Sequence, residues 1–373
     1  MDFGLMFFFS ADNHAGSDKY RLLVEAAKFA DEHGFCCVWT PERHFHKFGG
    51  LFPNPAVTAA AVAVLTRRVQ IRAGSLISPL HDVLRIVEEW AVVDNLSAGR
   101  AAISFGSGWN VNDFVFFPER YTSRHAFMYE QIETIKRLWA GEKISLTNSF
   151  GKEVELATYP APVQIELPIW ITSSGNAETF VSAGKIGANV LTHLIGQDLP
   201  TLAEKIDLYR SARERHGFDP DSGKVSLMLH TFLGTNRESV KAKIRAPFRE
   251  YLRSAISLEE IAAQGGGVIS GGHKIQPHDI SPGVLEELLD LTFERYFQTA
   301  ALMGTVDDCR QFVFTLADIG VDEIACLIDF LDDYDAVLES LKHLATLNSA
   351  LSAATVRRES DAALTALMDD LEL

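Results

Sequence analysis

The sequence predicts an α/β protein, a (β/α)8 TIM barrel with insertions before strands 5 and 8. Short apolar strand patterns alternate with helical patterns eight times, which fits a closed parallel barrel. No G-x-G-x-x-G follows the first strand, where an open dinucleotide-binding sheet would carry it. The length of 373 residues suits one barrel with loop insertions.

Asp2 to Phe9 is an apolar run ending at Ser10. From Ser17 to His33, Leu22, Leu23, Ala26, Ala27 and Ala30 fall at helical spacing before Gly34. The unit recurs as Phe35 to Trp39 with Ala56 to Leu65, Val69 to Leu76 with Val83 to Leu96, and Arg100 to Phe105 with Ser123 to Ala140. After a turn-rich stretch, Pro168 to Thr172 is the fifth strand, with a helix opening near Gly175. Ala188 to Leu191 precedes a helix from Leu199 to His216, and Lys224 to Leu233 one from Glu238 to Ile256. Glu323 to Ile328 and Tyr334 to Leu347 complete the eight.

Gly141 to Leu167 and Ile256 to Tyr296 are too long for barrel connections and read as insertions. The second contains Gly265-Gly266-Gly267 and Gly271-Gly272 and reads either as a lid over the barrel mouth or as a plain solvent loop. Residues 1–347 are expected to form the barrel and 348–373 a C-terminal tail.

A net charge of −16 repels nucleic acid, while a local phosphate site stays possible because backbone N–H groups at a helix N-terminus can hold one phosphate. Cys36 and Cys37 are adjacent in an apparent strand, where successive side chains point to opposite faces, and Cys309 and Cys326 are far away, so no disulfide framework is visible. The start lacks a basic region and no apolar run reaches membrane length, so a reducing cytoplasm and no membrane partner are expected.

Strand 2 ends in Thr40-Pro41-Glu42-Arg43-His44-Phe45-His46, the densest polar cluster in the chain. His44 there can move protons near neutral pH, or it can be a loop histidine held by Glu42. Strand 5 ends in Thr172-Ser173-Ser174-Gly175-Asn176-Ala177-Glu178-Thr179 just where a helix begins, an anion cradle or an ordinary helix cap. Strand 3 ends around Gly74 and Ser75, where small residues let a flat ring approach the backbone, or simply pack tightly. Strand 4 ends in Ser107-Gly108-Trp109, offering an aromatic wall or a core residue, and strand 6 brings His193 toward the same mouth.

Taken together, these strand ends resemble the bacterial-luciferase-like family of flavin-dependent monooxygenases over most of residues 1–347. The carriers are Thr40-Pro41-Glu42-Arg43-His44-Phe45, Gly74-Ser75, Leu96-Ser97-Ala98-Gly99-Arg100, Ser107-Gly108-Trp109, Ser173 to Thr179, and Thr192-His193-Leu194-Ile195-Gly196. Gly320 to Phe330 reads like the last strand of the branch found in natural-product biosynthesis, often fused to peptide or polyketide synthases.

The resemblance implies FMN across the mouth, its phosphate at Ser174, Gly175, Asn176 and Thr179, with Ser173 among the cofactor-binding residues, and its ring backed by Gly74 and Ser75. Ser107, Trp109 and His193 would flank the ring, although relatives often carry Trp where this chain has His193. His44 matches the family's reactive-site histidine. The implied reaction takes reduced FMN from a separate flavin reductase and uses O2 through a C4a-(hydro)peroxyflavin. It acts on a small-molecule or carrier-protein-bound substrate, in a homodimer that pairs through helices such as Ala56 to Leu65.

Three other readings stay open: a deazaflavin-dependent oxidoreductase on the same barrel, a flavin-binding barrel without turnover, and a metal-dependent barrel hydrolase using His44, His46, His193 and Asp329. Against the hydrolase, the paired histidines follow strand 2 and no lysine or histidine marks the end of strand 5.

Overall fold

The computed structural model describes residues 1–8, 18–264 and 281–351. Eight parallel strands close on themselves: β1 (Asp2–Met6), β2 (Cys37–Thr40), β3 (Gln70–Ile77), β4 (Ala101–Gly106), β7 (Ile169–Thr172), β8 (Asn189–His193), β9 (Val225–Leu233) and β11 (Glu323–Leu327). Each pairs with its neighbour in that order, β8 with β9, β9 with β11, and β11 back to β1 in the register Asp2↔Glu323 to Met6↔Leu327. The strands are buried along nearly their whole length, as expected where one face lines a filled barrel and the other meets helices.

The helices that cover the barrel are α1 (Arg21–Glu32), α2 (Pro55–Leu65), α3 (Val83–Ser97), α4 (Arg124–Trp139), α5 (Ala177–Lys185), α6 (Leu199–Arg215) and α7 (Arg237–Gln264), with a last helix, α10, over 334–351. Their starts are legible locally. Asn54 caps α2 by accepting from Ala56 and Val57 N–H ahead of Pro55 at the first turn, and Asp198 accepts from Thr201 N–H at the start of α6. The Leu96 to Arg100 segment ends α3 with Ala98 and Gly99 at positive φ, which turns the chain so that the Arg100 guanidinium donates to the carbonyls of Ala63, Thr66 and Val69.

The barrel interior and the strand–helix layer are separate cores. Met6, Cys37, Trp39, Ala102, Trp170, Leu191, Ala325 and Leu327 fill the barrel, two residues apart on β2 and on β11, while the larger apolar cluster lies outside.

The two insertions are structured. Gly141 to Leu167 holds an antiparallel hairpin, β5 (Ile144–Thr147) and β6 (Glu153–Leu156). In the second, α7 runs past Ile256 to Gln264 and α8 (Pro282–Arg295) follows, so its described parts are helical and not loop. Gly265 to Gly272 lie outside the described residues, as do the predicted end of the first strand at Phe9, the helix start at Ser17, and the tail from residue 352. Before β11 the chain adds β10 (Leu302–Gly304), paired to the end of β9, and α9 (Val306–Asp318), opened by a Thr305–Asp308 capping box. A three-residue strand shows no period, which hid this unit in the sequence.

One local expectation is corrected. β2 begins at Cys37, so Cys36 stands just before the ladder and strand alternation does not govern it; the two thiols face each other, Sγ to Sγ 3.5 Å.

Candidate active site

The carboxyl ends of the strands gather the groups singled out in the sequence, and the structure adds partners that the sequence did not show. At the end of β2, buried Glu42 accepts from His44 Nε2 (2.8 Å) and His81 Nε2 (2.6 Å) on one oxygen and from Ile77 N–H (2.7 Å) on the other. Burial works to raise this carboxyl, but the bonds to His44 and His81 prevail and hold it below its ordinary value. Burial works to lower His81, and the Glu42 bond overcomes it, so His81 is held toward its charged form. Both functional and structural readings of His44 therefore share one geometry: the histidine is held by Glu42, with 11% of its side chain exposed at the mouth. Phe45, at φ +54°, and Phe116 stand against its ring, with centroids at 5.6 and 5.1 Å, and both are exposed.

The Gly74–Ser75 peptide is cis. A Cβ at Gly74 would press on Trp39 and Met6, so the strand can pass here only without a side chain. Ser75 Oγ and Ser104 Oγ both bond Thr172 Oγ1, which ties the end of β3 to β4 and to the end of β7. Ser107 and Trp109 follow β4, and the Arg43 guanidinium lies over the Trp109 ring at 5.5 Å and the Phe8 ring at 5.0 Å. Arg43 is half-buried, its buried Nε has no partner among the described residues, and desolvation lowers its pKa. Asp113, bonded by Asn110 Nδ2, is pushed up by burial to about 6.

After β7, Ser173 Oγ accepts from Gly175 N–H (3.2 Å) and Asn176 Oδ1 from Glu178 N–H (2.9 Å), so the ordinary cap of α5 is present. Ser174 is exposed, Thr179 N–H donates to Asn176 O, and Gly175 has φ +104°. A Cβ on Gly175 would stand in ordinary contact with Gln197 Oε1 (3.4 Å) and Lys205 Nζ (3.5 Å), which places this ammonium directly beside the loop. Lys205 reaches there from α6 and donates to Gln197 Oε1 at 2.7 Å, and burial lowers its pKa. Sequence reasoning missed Lys205 because its helix lies about thirty residues beyond the loop it faces; a basic residue on α6 after a Gly-Asn cap is the signal that could have found it.

His193 Nδ1 accepts from Ile195 N–H, and burial pushes its pKa down to about 4, so the ring is neutral. Next to it His230, from β9, is boxed by Phe248, Tyr251, Tyr296 and Phe330, with Nε2 unpartnered among the described residues and its pKa down to about 3. Asp329, after β11, accepts from Phe8 N–H at 2.6 Å; its other oxygen has no described partner, and burial raises the carboxyl to about 8. Asp329 also lines a cavity of about 590 Å3 with Phe8, Phe48, Tyr251, Lys243 and Phe330, the size of a small-molecule site.

The hydrolase ligand set does not form. Among the described residues, the group of ligand atoms close enough to share a cation is Cys36, Cys37 and Glu323, at the opposite end of the barrel from His44, His193 and Asp329. No described helix is long and apolar enough to cross a membrane.

Residues 1–323 match the family described as luciferase-like monooxygenase, and the chain belongs to it. It is 22% identical to the alkanal monooxygenase alpha chain of Photorhabdus luminescens, over 86% of this chain and 88% of that one. It is 26% identical to the oxygenase component of a flavin-dependent trigonelline monooxygenase of Acinetobacter baylyi, over 62% of this chain and 64% of the relative. A Streptomyces bottropensis monooxygenase structure superposes with a TM-score of 0.76 at 22% identity, covering 93% of this chain and 98% of that one. The family makes this an oxidoreductase and sets the metal-hydrolase reading aside. It also includes similar proteins that use another cofactor: a glucose-6-phosphate dehydrogenase of Kineococcus radiotolerans, dependent on coenzyme F420, is 30% identical over 48% of this chain and 54% of its own length.

Proposed function

We propose that this chain is the oxygenase component of an FMN-dependent monooxygenase, supplied with reduced FMN by a separate flavin reductase and acting in natural-product biosynthesis on a small or carrier-protein-bound substrate. The carrying observation is the joined pair of features at the mouth. The hydroxyl chain Ser75–Thr172–Ser104 links the cis Gly74–Ser75 edge to β7, and β7 runs directly into the Ser173 to Asn176 loop faced by Lys205.

These residues fit FMN. The loop, the N-terminus of α5 and the Lys205 ammonium offer donors and positive charge to a phosphate, and glycine at 175 keeps the approach clear. Ser174, Asn176 and Thr179 complete that end, while Gly74, Ser75, Ser107, Trp109 and His193 would contact the ring. Reduced FMN, when bound, activates O2 so that one oxygen atom can pass to an organic substrate.

The chain's own groups then position, protonate and exclude water. Because Glu42 is ionised and bonded to His44 Nε2, that nitrogen carries the proton and His44 Nδ1 is left as the atom that accepts or returns one at the mouth. Neutral His193, neutral His230 and the surrounding aromatic rings line the pocket with uncharged groups beside the Arg43 guanidinium. The homodimer reading also gains a surface: α2 is apolar all round, and Val57 and Val64 are exposed beside Val92 and Leu96 of α3.

The test is hydrogen peroxide release after the chain, loaded anaerobically with reduced FMN, is mixed with O2. His44→Ala should release peroxide at least ~10-fold faster than wild type, within the range that positioned proton transfer supplies. Equal rates would remove the role of His44, and failure to bind reduced FMN while binding reduced coenzyme F420 would move the chain to the dehydrogenase side of the family.

A further inference from the structure

The amino end of the barrel holds a side-chain group that the reading above does not use. Cys36 closes the turn into β2, Cys37 is the first residue of β2, and Glu323 is the first residue of β11. β1 runs between those two strands and pairs Gly4 with Cys37 on one side and with Ala325 on the other. A Cβ at position 4 would collide with Cys37 Sγ, so the thiol occupies room that only glycine leaves, on the path from β2 toward Glu323.

The spacings are those of a tetrahedral thiolate site. Cys36 Sγ and Cys37 Sγ are 3.5 Å apart, Cys37 Sγ is 3.6 Å from Glu323 Oε1, and ligand atoms of all three residues lie within 4.8 Å of one another. Two sulfurs each about 2.3 Å from one zinc ion at the tetrahedral angle stand about 3.8 Å apart, and a sulfur and a carboxylate oxygen about 3.5 Å.

A second observation is independent of spacing. Glu323 is fully buried; its Oε1, the oxygen 3.6 Å from Cys37 Sγ, accepts from Arg72 Nη1 (2.6 Å), Ser226 Oγ (3.0 Å) and the Cys37 thiol, while Oε2 of the same carboxylate makes no hydrogen bond among the described residues. A buried carboxylate oxygen with nothing to accept is a vacant ligand position. Charge also balances. With both thiols protonated, Glu323 and Arg72 sum to zero; one divalent ion bound with release of two thiol protons to solvent gives two thiolates, one carboxylate, one guanidinium and the ion, again zero. Cys36 is half-buried and leaves the group open to solvent on its side.

We propose that Cys36, Cys37 and Glu323 bind one thiophilic divalent metal ion of the zinc class, with water as fourth ligand, clipping β2 to β11 across β1.

The experiment titrates the chelator-treated full chain with Co2+ under reducing conditions, following sulfur-to-cobalt charge transfer in the near ultraviolet, then displaces it with Zn2+. The expected result is one equivalent bound with thiolate absorption, about two protons released, and Zn2+ protection of Cys36 and Cys37, but not Cys309 and Cys326, from alkylation after brief denaturation. Cys36→Ser, at a half-buried position outside the strand ladder, should keep its circular dichroism and bind Co2+ about 100-fold more weakly or worse, since loss of even an outer-shell partner can cost that much. Gly4→Ala keeps every ligand and should lose the thiolate absorption. The proposal is overturned if Co2+ binds without thiolate absorption, or equally well to Cys36→Ser. Should that variant fail to fold, equal alkylation of the wild type with and without Zn2+ overturns it.

Discussion

The two ends of the barrel treat charge in opposite ways. At the amino end, Arg72 lies between Trp39 and Trp170, its Cζ 4.7 and 4.1 Å from their ring centroids, and is bonded to Glu323 and Gln70; Ser226 and Trp170 Nε1 complete the network. Burial opposes both ions, but each holds the other charged. At the carboxyl end, half-buried His193 and buried His230 and Asp329 have no ionic partners and become neutral instead. One end is held by a mutual ion pair that leaves Glu323 Oε2 open, and the other keeps neutral polar atoms unpaired where a ligand can use them. The ladder between them is common to both, so the difference comes from side chains toward opposite ends of the same strands: Ser226 and His230 stand toward the two ends of β9, and Asp329 follows the strand that Glu323 opens.

The largest effect is expected from breaking the closed end. Arg72→Met leaves the Glu323 carboxylate buried with its ion partner gone, and should lower the unfolding free energy by about 3–5 kcal/mol in urea titration. A loss under about 1 kcal/mol would mean that the network is not holding the barrel floor.

The mouth should respond to pH instead, with two opposed slopes. His230 has a folded pKa below its unfolded one, so the stability it permits is present above about pH 6.5 and is lost as pH falls toward 3. Asp329 has a raised folded pKa, so its contribution is full below about pH 4 and is lost as pH rises through about 8. His230→Phe should therefore reduce the loss of stability between pH 7 and pH 5 by about 2 kcal/mol, and Asp329→Asn should flatten the decline from pH 5 to pH 8 by up to about 4 kcal/mol. Unchanged slopes in denaturation series across these windows would show that neither group is held neutral.

The smallest effect on the fold belongs to the outer surface. Val64→Asp on α2 should change monomer stability by no more than about 0.5 kcal/mol. The same change should shift a dimer to monomer in light scattering if that face pairs.

Much of this contrast was legible in sequence at the mouth and almost none at the floor. His44, Gly74, Ser75 and the Ser173 to Thr179 loop lie in short local motifs at strand ends, so order and spacing were enough to find them. The floor is built from Cys37, Arg72, Ser226 and Glu323 on four different strands, and barrel closure brings β2 and β3 together with β9 and β11. For the same reason Lys205, His81 and the His230 box were missed: each meets its partner through a neighbouring unit and not through sequence proximity. Strand boundaries shifted by one to three residues, the first strand ending at Met6 and not Phe9, and at Cys36 such a shift reversed the expected direction of a side chain.

The most direct test of the flavin site is an anaerobic titration of the full chain with reduced FMN and with reduced riboflavin, in wild type and Lys205→Ala. The ring is shared by both ligands and only FMN carries the phosphate. Wild type should prefer FMN by about 10- to 100-fold, the weight of a charge-assisted phosphate contact, and Lys205→Ala should lose most of that preference while its riboflavin affinity stays the same. Equal affinity for the two ligands in wild type, or an undiminished preference in the variant, would contradict the placement of FMN with its phosphate on the Ser173 to Asn176 loop.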